Sequence, residues 1–121
     1  MDFSVPEGVM NEALEVLAKS RQKGKIRIGV NETTKAVERE VAKLVLIAGD
    51  VDPKEIVMHI PLLCDEKKVP YCPVKTKKEL GEKAGIEVGT SCVAVTDAGT
   101  AKKELGELAK KLSELKGAKK E

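Results

Sequence analysis

Leu44-Val45-Leu46-Ile47-Ala48 is an unbroken apolar run near the middle of the chain, and it leaves into Gly49-Asp50-Val51. A strand with one wet face alternates apolar and polar residues. A run without alternation reads as a strand buried on both faces, so helices must cover both sides of its sheet. Upstream, Ile26, Ile28 and Val30 alternate with Lys25, Arg27 and Gly29, which predicts a short half-buried strand. Downstream, Tyr71-Cys72-Pro73-Val74 is a short strand that Pro70 and Pro73 make poor at donating ladder bonds, and Ser91-Cys92-Val93-Ala94-Val95 is the last strand.

Helical signals separate these strands. Pro6 suits a first turn, with Ser4 or Val5 near the cap; Val9, Ala13, Leu14 and Leu17 recur at helical spacing up to Gly24. Asn31 is a candidate N-cap with Glu32 in the first turn, and Ala36, Val37 and Val41 continue an apolar face. Asp52-Pro53-Lys54-Glu55 is a capping signature; Pro61 kinks or restarts the helix it opens, and Leu62, Leu63 and Cys64 give that helix its apolar side. Thr76-Lys77-Lys78-Glu79 is a capping box, followed by Leu80 and Ala84 and stopped by Gly85. Gly99 precedes a final helix carrying Leu105, Leu108, Ala109, Leu112 and Leu115 on one face. The order α-β-α-β-α-β-α-β-α predicts an α/β fold: a three-layer α/β/α sandwich around a small mixed four-stranded sheet, forming one domain over residues 1–121.

Composition narrows the function. At 35% charged and 41% apolar, the 121 residues fit neither a disordered chain nor a membrane protein, and no apolar run approaches the roughly 20 residues of a span. Met1-Asp2-Phe3-Ser4 opens no secretory signal, so a cytoplasmic location is expected. Cys64, Cys72 and Cys92 form no C-x-x-C pair, and His59 is the single histidine, so buried free thiols are expected, with no metal and no cofactor. With no Trp and only Phe3 and Tyr71, a stacking platform for single strands is excluded. Neither a P-loop nor a dinucleotide glycine fingerprint is present. No Ser or Cys has a plausible base; His59, near Pro61, reads as a packing residue at a helix end, and Asp50 with Asp52 as a carboxylate pair competes poorly with a cap at Asp52. A non-enzyme is therefore expected.

Charge is unevenly placed. The formal net charge is +2, yet residues 19–43 carry +5 and residues 101–121 carry +3, leaving −6 for the rest. Such polarity suggests a face for an anion. Within the first basic segment, Gly29-Val30-Asn31-Glu32-Thr33-Thr34-Lys35 joins a strand to a helix. Asn31, Glu32 and Lys35 bring an amide, a carboxylate and an ammonium to the helix start, with Lys35 one turn above Asn31. A guanine edge offers N–H donors and an O6 acceptor, which a carboxylate, an ammonium and an amide complement. Gly29, lacking a side chain, lets a nucleic-acid backbone or base approach. Lys25 and Arg27 add phosphate-binding charge. Ile86 and Val88 are apolar residues in a connection that should face water, which gives them a reason to meet a partner. A capped helix with solvated charges is the plainer reading of the same segment, and a protein-interaction module without RNA is the alternative from another functional class.

The stretch Gly24-Lys25-Ile26 through Asn31-Glu32-Thr33-Thr34-Lys35-Ala36-Val37-Glu38-Arg39 resembles the kink-turn-binding family of archaeal large-subunit ribosomal proteins (the ribosomal L-seven-Ae proteins). So do Ala42-Lys43-Leu44-Val45, Asp50-Val51-Asp52-Pro53, Ile60-Pro61-Leu62-Leu63-Cys64 through Tyr71, and Glu79-Leu80-Gly81. The resemblance implies binding to kink-turns and kink-loops, RNA elements with tandem sheared G·A pairs beside a bulge. It implies service in the ribosome, in box C/D and H/ACA ribonucleoproteins and in ribonuclease P. The partners it implies are rRNA, guide small RNAs, ribonuclease P RNA and neighbouring protein subunits, with no membrane and a monomer when free. By resemblance, Gly29, Asn31, Glu32 and Lys35 meet the G·A pairs, Ile86, Glu87 and Val88 pack on bulged nucleotides, and Ile56 and Lys77 lie near an extruded base. Three positions depart from the pattern: Ile28 where a basic residue is common, Glu40 where many members have Gly, and Gly49 where many have Glu.

Overall fold

The computed structural model describes residues 5–51, 55 and 57–120. Helix α1 (Glu7–Lys23) leads into β1 (Lys25–Ile28), α2 (Val30–Glu38), β2 (Leu44–Ala48), α3 (His59–Lys67), β3 (Tyr71–Val74), α4 (Lys77–Ala84) and β4 (Cys92–Asp97). A 3₁₀ turn (Gly99–Ala101) then opens α5 (Lys102–Lys120). This is the expected order of elements. The sheet order is β1-β4-β2-β3, with β4 antiparallel to both β1 and β2 and β3 parallel to β2. The sheet is thus mixed and four-stranded, as its α/β reading requires.

All five residues of β2 are buried, and so is the whole of β3. Helix α1 packs with α4 and α5 on one side, while α2 packs with α3 on the other. The core joins Leu14 and Leu17 of α1 and Leu108 and Leu112 of α5 to the sheet, and Val37 of α2 and Ile60 and Cys64 of α3 to it from the second layer. Strand β3 lies at the edge, where Pro73 breaks no interior ladder. All three cysteines are buried, and none forms a disulfide. Burial pushes the Cys72 thiol up to about 12. It also pushes the Cys92 thiol up, partly offset by hydrogen bonding from Thr33 and Ser91.

Local starts and stops differ from expectation in three places. Asn31 is not the N-cap of α2: the helix begins at Val30, and Gly29 holds the cap position at φ 98° and ψ 162°. That backbone region is accessible essentially to glycine alone, so the chain turns at Gly29 and carries Asn31 into the first turn. His59 opens α3 instead of ending a helix, and its exposed ring bonds Thr34 Oγ1 through Nε2 at 2.9 Å in place of the packing role expected of it. Pro61 consequently sits in the first turn of α3, where its missing N–H has no intrahelical partner to lose. The capping signature at Asp52 and Pro53 lies outside the described residues.

Three apolar or capping signals also fail: Val41 lies beyond the end of α2 and is exposed, Leu62 points away from the apolar side of α3 and is exposed, and Pro6 stands at the N-cap of α1 ahead of its first turn. The signals around α4 and at the end of α1 hold. Thr76 caps α4 by accepting from the Glu79 N–H at 3.1 Å, and Gly85 closes that helix in the left-handed region. Gly24 stops α1 where a Cβ would run into the Asp97 carbonyl.

Candidate RNA interface

Strand order decides what meets what. The C-terminal ends of β1, β2 and β3 and the N-terminal end of β4 share one end of the sheet, since Ile28 stands opposite Val93, Ile47 opposite Cys92, and Ala48 opposite Val74. Four connections therefore gather there: the start of α2, the Gly49–Asp50 turn, the start of α4, and the loop before β4.

The start of α2 is anchored by two backbone bonds. Gly29 donates to Cys92 O at 2.9 Å, and Thr33 donates to Gly29 O at 2.9 Å. Thr33, Ala36 and Val37 face inward, which leaves Asn31, Glu32 and Lys35 exposed together. Glu32 and Lys35 form an ion pair at 3.7 Å, with both side chains about half exposed. At this exposure the pair contributes only about 0.2–1 kcal/mol, so an incoming partner can exchange it cheaply. A Cβ on Gly29 would meet nothing within 4 Å, so the surface beside the three side chains is open.

The start of α4 is held from two sides. Lys77 donates its backbone N–H to Asp50 Oδ1 at 2.8 Å, and its carbonyl accepts from the Thr90 N–H at 3.1 Å. Gly89 packs on the same residue. The Lys77 side chain is exposed. In the loop, Val88 is 70% exposed, Glu87 is exposed and Ile86 is half-buried, with the Ile86 N–H bonded to Gly81 O at 3.0 Å. An exposed valine in a loop fixed at both ends is an apolar surface offered outward.

Gly29, Asn31, Glu32, Lys35, Lys77, Ile86, Glu87 and Val88 thus come from connections at one end of the sheet. Arg27, exposed in mid-strand, lies close behind them. Lys25 does not join them: it stands opposite Asp97, four residues and roughly 13 Å of strand away from Gly29. The expectation that Lys25 adds phosphate-binding charge to this site is corrected by this register. Ile56 lies outside the described residues.

Sequence reasoning missed two positioning residues. Asp50, considered for a carboxylate pair, instead caps α4 from the β2 exit. Gly81 lets the Val88 carbonyl lie against α4, where any Cβ would clash. The available signal was a glycine inside a helix, which costs about 1 kcal/mol against Ala and marks a close approach. Of the departures, Ile28 is half-buried and packed on the core, and Glu40 adopts φ 60°.

Residues 11–105 match the profile of the family described as ribosomal protein L7Ae/L30e/S12e/Gadd45 family. Among solved structures, the chain is similar to the Giardia lamblia 15.5kD RNA binding protein, with 33% identity over 92% of each chain and a TM-score of 0.87. With most of its length matched, the chain belongs to the ribosomal protein L7Ae/L30e/S12e/Gadd45 family.

Proposed function

We propose that this protein is an RNA-binding ribonucleoprotein component that recognises kink-turn or kink-loop RNA and stabilises its bent form. The observation that carries the reading is the exposed amide, carboxylate and ammonium of Asn31, Glu32 and Lys35 at the same sheet end as the outward Val88. Glu32 accepts from guanine N–H groups of the sheared G·A pairs, Lys35 donates to O6, and Asn31 bridges donor and acceptor. The open backbone at Gly29 admits the RNA groove. Ile86, Glu87 and Val88 cover unstacked bulge nucleotides, with Ile56 and Lys77 beside the extruded base, and Arg27 supplies phosphate contact. Binding shifts RNA towards the kinked conformer by its differential affinity for that conformer.

The protein then serves without catalysis as a platform for other subunits. Its RNAs are rRNA, box C/D and H/ACA guide RNAs and ribonuclease P RNA, in the cytoplasm, and it is monomeric when free. The similarity to a protein described as RNA-binding supports the coarse reading. Titration of a kink-turn hairpin against one with its G·A pairs swapped tests the finer one. Tight binding to the first and at least about tenfold weaker binding to the second is expected, a difference of about 1.4 kcal/mol. Equal affinities refute it.

A further inference from the structure

At the opposite end of the sheet, β4 turns into α5 through Ala98 and Gly99, and four lysines surround the turn. Lys25 stands across from Asp97, and its carbonyl accepts from Thr96 Oγ1 at 3.2 Å. Lys23 presents the carbonyl against which Gly99 packs. The Lys43 N–H bonds Val95 O at 2.6 Å, and Lys43 and Lys102 line one cavity of about 410 Å³ with Asp97. All four lysines are exposed. The ion pairs among the described residues use Lys19, Lys35, Lys75 and Lys111 instead. The carboxylate at the turn, Asp97, already accepts from the Gly99 N–H at 2.9 Å.

Folding does not call for this charge. Lys102 and Lys103 stand in the first turn of α5, where a cation opposes the helix dipole, and the acid of that turn, Glu104, pairs with Lys19. Gathered ammonium groups without partners repel one another, and an anion relieves both costs. The chemistry of that anion follows from what stands there. Protein–protein interface cores are depleted in lysine and enriched in aromatic residues, and the single described aromatic residue, Tyr71, is buried. Hydrated point charges on flexible stems suit phosphates, which they hold without reading bases.

We propose that Lys23, Lys25, Lys43 and Lys102 form a second RNA contact, which holds the phosphate backbone of a double helix irrespective of its sequence. This contact rests on the reading of the protein as RNA-binding, and not on recognition of a kink. One end of the sheet reads a feature, and the other holds a neighbouring helical segment of a larger RNA.

The test uses the triple variant K25Q/K43Q/K102Q and two probes: a plain RNA duplex without bulge or G·A pairs, and a minimal kink-turn hairpin. Removing three phosphate contacts should weaken duplex binding about tenfold or more at low salt and flatten the log–log salt slope by about two to three. Binding to the minimal hairpin should fall less than about threefold. The control K68Q/K83Q/K110Q removes equal charge elsewhere and should leave duplex affinity within about threefold of the parent. Equal loss in patch and control variants overturns the proposal, as does absence of duplex binding by the parent. Equal loss on duplex and hairpin also overturns it. Should the kink-turn reading alone fail, the parent ignores the G·A pairs while the duplex comparison keeps its outcome.

Discussion

Asn31 and Glu32 separate recognition from stability, because neither does much for the fold. Asn31 is exposed in the first turn of α2 and does not cap it, so Asn31→Ala removes a poor helix former. Stability should stay level or rise by up to about 0.5 kcal/mol, while kink-turn affinity falls. Glu32→Ala loses a first-turn carboxylate and a half-exposed i,i+3 ion pair, together about 0.5–1.5 kcal/mol. If it accepts from guanine, affinity drops by about 1.5–3 kcal/mol, or about tenfold to a hundredfold. Thermal melting beside calorimetric titration reads both quantities, and a lowered melting temperature with unchanged binding would reduce both residues to helix decoration. Gly29 behaves in the opposite way. Its φ of 98° and ψ of 162° exclude other residues although a Cβ finds open space, so Gly29→Ala should destabilise by about 1–3 kcal/mol through backbone strain alone. A melting temperature equal to the parent's would show that the turn tolerates a side chain.

Helix ends are where the elements reveal most. Glu40 follows α2 at φ 60°, the left-handed conformation that L side chains resist. The sequence marked this position as a departure from glycine on resemblance alone; the dihedral supplies a physical reason. Glu40→Gly should raise stability by about 0.5–1 kcal/mol, the relief of strain exceeding the extra entropy of the unfolded chain. Denaturant midpoints with unchanged slope check it, and a lower midpoint would mean that Glu40 holds a compensating contact. The order of elements was legible because each rests on local signals: β2 on its unbroken apolar run, α4 on Thr76 and Gly85, α5 on its leucines. The starts of α2 and α3 were less legible. A glycine in an unusual backbone region leaves no propensity signal beyond its identity, and Pro61 in a first turn looks the same on paper as Pro61 in a kink.

Across the whole molecule, the candidate site exists because β4 inserts between β1 and β2, bringing the 86–91 loop to the end of the sheet where α2 begins. Local sequence signals proposed the residues on α2 and in the loop, and only the resemblance joined them in one site. Their adjacency, and the position of Lys25 at the far end, depend on strand order and register. Buried thiols give the molecule an alkaline limit. Cys72 has an ordinary value of 9.0 and is raised to about 12 in the fold, so the unfolded chain ionises first. This contribution is intact below pH 9 and is lost as pH rises towards 12, at up to about 1.4 kcal/mol per pH unit. Cys72→Ala should flatten the decline in stability over that window, and an identical decline in the variant would assign it to other groups. The central claim is that the protein stabilises a bent RNA, and energy transfer between dyes on the two arms of a kink-turn measures this directly. In low salt without divalent ions, where free RNA is extended, adding protein should raise transfer to saturation with intact G·A pairs and leave it unchanged with swapped pairs. Saturated binding with no rise in transfer, or an equal rise in both RNAs, would contradict the account.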